Sequence, residues 1–305
     1  MLGRFSVLLL SLILSGSIAE AGKKHTQGVA PVPALKAQAV KSDLLLEILG
    51  NIYPQDQFPA ECSELLKGAP CAARPFGHFH IESKKDGELV YSKTTFTAPE
   101  GDQVIEQSWE KDGHVKKAMI ENRALQKNSE LEVKDGKVFY KVTDMRDGSS
   151  KTSSDEWEEN LVVPSTVMSY IRPSFKELGD GKEVRIKVAV LDRRESYTFT
   201  MKKIRDEKTI DGEQVMVLQM APVSFIVKAL VDPMSFYVKP RTGELYAFEG
   251  KSALRRKNGD QYQELKVRTA YEYKINTFNQ VQVTKTCDSS SMIFGKDAKC
   301  EVKAQ

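Results

Sequence analysis

From residue 77 onward the chain is punctuated by Asp-Gly and Asn-Gly pairs: Asp86-Gly87, Asp112-Gly113, Asp135-Gly136, Asp147-Gly148, Asp211-Gly212 and Asn258-Gly259. Such pairs tolerate the positive φ that tight hairpin turns demand. The segments between them alternate with period two. Val138, Tyr140 and Val142 share one face of KVFYKVTDM, and Val184, Ile186, Val188 and Val190 share one face of EVRIKVAVL. Tyr197, Phe199 and Met201 alternate with Thr198, Thr200 and Lys202. Leu265, Val267, Tyr271 and Tyr273 alternate with Lys266, Arg268, Glu272 and Lys274. A strand sends successive side chains to opposite faces, so the pattern predicts sheets with one wet and one buried side. Hairpin after hairpin makes an antiparallel meander. The expected fold class is mainly β with a few helices, a curved meander or half-open barrel spanning residues 77–280.

Helical spacing occurs at three places. Leu45, Ile48, Leu49, Ile52 and Tyr53 fall at i, i+3, i+4, i+7 and i+8, with Ser42 to cap and Pro54 to stop. They predict a helix within an N-terminal segment of residues 40–76. Residues 164–178 place Val167, Met168, Ile171, Phe175 and Leu178 on one side, and Pro173 should kink or split that helix. Residues 222–231 place Val223, Ile226, Val227, Leu230 and Val231 on a stripe that Phe225 and Ala229 widen. A helix this apolar is expected to be deeply covered.

The N-terminal residues predict a compartment. Residues 1–21 combine Arg4, an apolar stretch from Phe5 to Leu14, and Ala19-Glu20-Ala21 as a cleavage site. That is the order of a secretory signal, and its apolar run is too short to span a bilayer. Cleavage is expected after Ala21, into the periplasm or outside the cell, ahead of a leader at residues 22–39. Cys62, Cys71, Cys287 and Cys300 make an even count, which in an exported chain suggests disulfides. The local pairs Cys62–Cys71 and Cys287–Cys300 are favoured over cross-pairing to a C-terminal tail of residues 281–305. A zinc site is disfavoured by the lack of C-x-x-C spacing.

The stretch from Val163 to Tyr273 resembles a family of uncharacterised exported bacterial proteins. VVPSTVMSYIRPSFKELGDGKEVRIKVAVLDRRESYTFTMKKI looks like its proline-led helix, Leu-x-x-Gly turn and paired strands. VLQMAPVSFIVKALVDPMSFYVKPRTGELYAFEGKS looks like its buried helix, Asp-Pro strand and Thr-Gly hairpin. The plan is similar in fold to LolA-type lipoprotein carriers. The resemblance carries no catalytic motif.

Hydrolase, P-loop, dinucleotide and metalloprotease signatures are absent. His78 and His80 would share one face of a strand, but a metal site needs a third ligand. Asp155, Glu156, Glu158 and Glu159 around Trp157 lack the spacing of a calcium loop. Arg193-Arg194 and Arg255-Arg256-Lys257 are basic turns that could meet lipid headgroups or an acidic partner. With 45 basic and 42 acidic residues, for a net charge of +3, nothing calls for nucleic acid. No metal, cofactor or mature transmembrane segment is expected. The sequence predicts a non-catalytic envelope protein that holds a hydrophobic ligand, a lipid for instance, or another envelope protein. The expected lining is Phe199, Met201, Phe225, Ile226, Leu230, Phe236, Tyr246 and Phe248, residues that a plain core would equally use. The alternatives are an assembly factor that binds protein without a ligand cavity, and a hydrolase without a recognisable motif.

Overall fold

The computed structural model describes residues 43–55, 75–209, 212–229, 231–259 and 261–277, with the backbone of two short strands at 284–287 and 300–303. The chain divides into units 1–39 and 40–305, and the described residues all lie in the second. Fifteen strands form one sheet. Its first half is β1 (Leu44–Pro54), β2 (Gly77–Asp86), β3 (Leu89–Thr97), β4 (Gln103–Lys111), β5 (His114–Asn122), β6 (Lys127–Lys134), β7 (Lys137–Asp144) and β8 (Ser150–Glu156). Its second half is β9 (Leu161–Val162), β10 (Glu183–Val190), β11 (Glu195–Lys208), β12 (Gln214–Pro222), β13 (Met234–Val238), β14 (Leu245–Asn258) and β15 (Gln261–Asn276). The spatial order runs from β8 down to β1, then from β15 down to β9. Every neighbouring pair is antiparallel except β9 and β10.

The hairpins form where the Asp-Gly pairs stand. Asp112 and Gly113 have φ of 53° and 80°, and Asp135 and Gly136 have φ of 51° and 72°. Two consecutive left-handed residues make the turn whose twist matches that of the flanking strands.

Residues 44–54, expected to be helical, are instead the strand β1. Ile48 and Ile52 are buried, at 4% and 1% exposure. Residues four apart share a face in a helix and in a strand alike, so this spacing does not separate the two. Pairing decides it: β1 lies at the middle of the sheet, hydrogen-bonded to β2 on one side and β15 on the other. Gly50 serves that position, because a Cβ there would sit 2.1 Å from Phe79 Cζ.

The sheet curls until its two ends overlap. The inner side chains of β5 to β7, among them Ala118, Leu131, Val138 and Tyr140, pack against Leu161, Val163, Ala189 and Leu191. Ile186 and Val188 on the same β10 point the other way, into a second core with Phe199, Met201, Leu218 and Phe236. Strand β10 is therefore covered on both faces. Polar bonds fasten the overlap: Arg194 donates to the Thr152 carbonyl at 3.1 Å, and Ser196 Oγ to Asp155 at 3.3 Å. Arg194 is thus a clasp within the fold, where the sequence marked its turn as a possible contact with lipid headgroups or an acidic partner.

The segment after β9 is split as Pro173 requires. A 3-10 turn at Pro164–Thr166 leads into α1 (Val167–Ile171), a second 3-10 turn at Arg172–Ser174, and α2 (Phe175–Gly179). It crosses the end of the sheet where β4 stops and β14 starts. Ser165 Oγ donates to Ser108 Oγ at 3.1 Å, and Phe175 lies under Gly243. Val167, Ile171 and Leu178 plug that end into the second core.

Beyond the sheet, β16 (Thr284–Cys287) and β17 (Cys300–Lys303) pair antiparallel, with Cys287 and Cys300 at opposed register positions. Their side chains, and all of Cys62 and Cys71, lie outside the described residues.

Candidate functional site

The described residues of the expected ligand lining separate into three environments. Phe199, Met201 and Phe236 are buried at 4%, 0% and 7% exposure. Phe248 meets Phe236 edge-on with centroids 5.1 Å apart. These four form one packed core with the helical plug, filled by side chains such as Val162, Ile171 and Leu178. Tyr246 is on the opposite face, against Val217, Tyr237 and Ala247. Leu230 lies outside the described residues.

Phe225 and Ile226 are exposed, at 85% and 73%, and Val223 at 41%. The expected covered helix at 222–231 is one turn, α3 (Phe225–Lys228). The reason is the register of β12, which stays in the ladder until Pro222 pairs with Phe199. Few residues remain before β13, and among the described ones Val231 and Met234 at the far end pack into the core. Of the expected stripe and its flank, Val223, Phe225 and Ile226 therefore point outward, Val227 is half-buried, and Val231 turns in.

Beside the core the interior holds a line of polar groups that the sequence did not single out. Val104, Glu106, Ser108 and Glu110 alternate on the inner face of β4. Glu106 lies deep but partly open to a cavity of about 10 Å³, lined also by Ala118, Ile120, Val163 and Ser165. That is about the room of one water molecule. Burial pushes the Glu106 carboxyl up to about 7. Glu110, 6% exposed, is likewise pushed up to about 7 by burial, against the opposing pull of a Ser169 hydrogen bond and the Arg172 charge. Burial lowers the Arg172 guanidinium, with Tyr273, Glu110 and Glu244 acting to raise it. Burial pushes the Tyr271 hydroxyl up to about 12. It pushes Tyr273 higher still, although that hydroxyl accepts the Leu245 amide at 2.7 Å. The belt joins the plug to the wall of the sheet: Glu110 is on the wall, Ser169 and Arg172 on the plug.

The histidines and acids that could have formed a reactive or metal centre are engaged one by one. His78 pairs with Asn51 at 2.8 Å and His80 with Glu47 at 3.2 Å, both across to β1. His114 meets the Glu159 carbonyl at 3.0 Å. Glu158 takes Lys187 at 2.6 Å, and Trp157 packs on the core of the overlap. Among the described residues no three His, Cys, Asp or Glu side chains converge on a metal position. Among the same residues no helix is long and apolar enough to cross a membrane.

Around α3 the charges are linked. Asp232 pairs with Lys266 at 2.7 Å, and Glu264 with Lys251 at 2.7 Å and Arg255 at 3.7 Å. The Lys251 bond holds the Glu264 carboxyl below the usual range, and Arg193 adds to the pull. Arg256 lies over the Phe76 ring, 5.8 Å from its centroid.

No family model matches the chain, and no curated protein matches it. Among solved structures it is similar to a crystal structure described as a beta-barrel-like protein of domain of unknown function DUF1849 from Brucella abortus. The identity is 11%, the TM-score is 0.40, and the likeness covers 77% of this chain and 99% of that one. No likeness to LolA-type carriers is shown by these comparisons.

Proposed function

We propose that the protein is an exported, non-catalytic envelope component that binds an apolar partner through its surface at α3, without enclosing a ligand. The observation that carries this is the exposure of Phe225 and Ile226 beside an interior filled by side chains. Large apolar side chains grouped in the open mark interaction sites. The signal-like residues 1–21 support export, with the mature chain starting at Gly22. An assembly factor and a lipid-binding protein both fit such a surface.

An environment-sensitive apolar dye tests the role of the turn. The full chain should bind it, and the double variant Phe225→Ser with Ile226→Ser should lose most of that signal at an unchanged melting temperature. Equal dye binding by both proteins would remove the turn from the function. Intact-mass measurement of chain exported by a bacterial host tests the compartment, and an uncleaved product would overturn it.

A further inference from the structure

We propose that the partner of the α3 surface is an anionic lipid bilayer. The inference rests on the surface reading above and names its occupant. Its first ground is the fixed presentation of the tip. The Val223 amide bonds to the Thr198 carbonyl at 3.0 Å, Lys228 to Ser224 at 2.9 Å, and Val231 to Val227 at 2.9 Å. Val231 and Met234 anchor the connection to the core. Phe225 and Ile226 are thus held outward on a braced turn.

The second ground is charge. Lys228 lies on the turn, while Lys266 and Lys251 pair with Asp232 and Glu264, and Arg255 and Arg193 also act on Glu264. Lys228, Lys251, Lys266, Arg193 and Arg255 stand against Asp192, Glu195, Asp232 and Glu264, a surplus of one positive charge, and Lys228 stands on the turn itself beside Phe225 and Ile226. Bilayer interfaces accept this combination: an aromatic and a branched side chain enter the acyl boundary, while Lys and Arg stay at the anionic headgroups.

The third ground is size. A stable protein interface buries about 800 Å² on each partner around a packed apolar centre. Three exposed apolar residues are a small patch for that. A bilayer needs no complementary pocket, so a small insertion with diffuse charge suffices.

The test is flotation of the full chain with vesicles of phosphatidylcholine, alone or mixed with phosphatidylglycerol. The chain should float with the mixed vesicles, at least about tenfold more strongly than with the neutral ones, and should be released by salt. Phe225→Ser with Ile226→Ser should weaken flotation by about tenfold or more at an unchanged melting temperature. Lys228→Glu should weaken it on anionic vesicles only. Equal flotation with neutral and anionic vesicles, or variants that float like the parent, would overturn the inference. If the parent binds the apolar dye but floats with neither vesicle, the lipid inference fails and the surface reading stands, with a protein as the partner. If it binds neither dye nor vesicle, both fail.

Discussion

Glu106 and Glu110, four residues apart on one face of a strand, show what an interior carboxyl does to stability. Each has a folded pKa near 7, above the ordinary 4.5. Between those values the folded chain holds a proton that the unfolded chain has released. The folded state binds more protons there, so stability falls as pH rises through this window. Below about 4.5 both states are protonated and the penalty vanishes. For Glu106 the open side toward the cavity reduces the effect, leaving on the order of 1–2 kcal/mol. Glu106→Gln is expected to match the parent near pH 5 and to exceed it in stability near pH 8. Urea unfolding at the two pH values checks this, and a difference of the opposite sign would contradict the burial of the carboxyl.

The elements differ in how plainly the sequence announced them. Strands β7, β11 and β15 were legible because each has one wet and one covered face, which writes period two into the residues, while β10 was legible from Arg185 and Lys187 alternating with Val184, Ile186 and Val188 although its far end is covered on both faces. The split of the 164–179 segment was legible because proline removes a donor and blocks the preceding turn. β1 was not, since its apolar residues four apart satisfy both periods and only its partners on either side decide between them. α3 was not, because spacing reports which residues share a face and says nothing of what that face meets. The polar belt was missed for a similar reason. On β4 the apolar Ile105 and Trp109 occupy one phase and Glu106 and Glu110 the other, so alternation alone would turn the acids outward. A pair of substitutions measures the contrast between core and tip. Met201→Ala, at a site with 0% exposure, should cost about 2–5 kcal/mol. Ile226→Asp, which a covered helix would feel as an unpaired buried charge, should change stability by less than about 0.5 kcal/mol. Thermal melts compare the two, and a large loss for Ile226→Asp would mean that α3 is covered.

For the molecule as a whole, the pairing of β1 with β15 sets the connectivity: strands more than 200 residues apart lie side by side at the centre, as Leu46 opposite Asn276 shows. The early hairpins spread to one side of this seam and the late ones to the other, until the outermost strands on each side meet. At that meeting no ladder continues from β8 to β9. The join depends on apolar side chains around Leu191 and on a few bonds at Arg194 and Ser196. A strip wound upon itself in this way is a scroll, and a scroll can loosen from its outer turn without tearing. Amides of β7 and β8 should therefore exchange with deuterium sooner than those of β1, β14 and β15. Leu191→Ala should hasten the first group and leave the second at its parent rate. Exchange of both groups in step would mean that the fold opens only as one unit. If the outer turn does open alone, the inner faces of Leu131 and Tyr140 come into reach of water while the central seam stays shut.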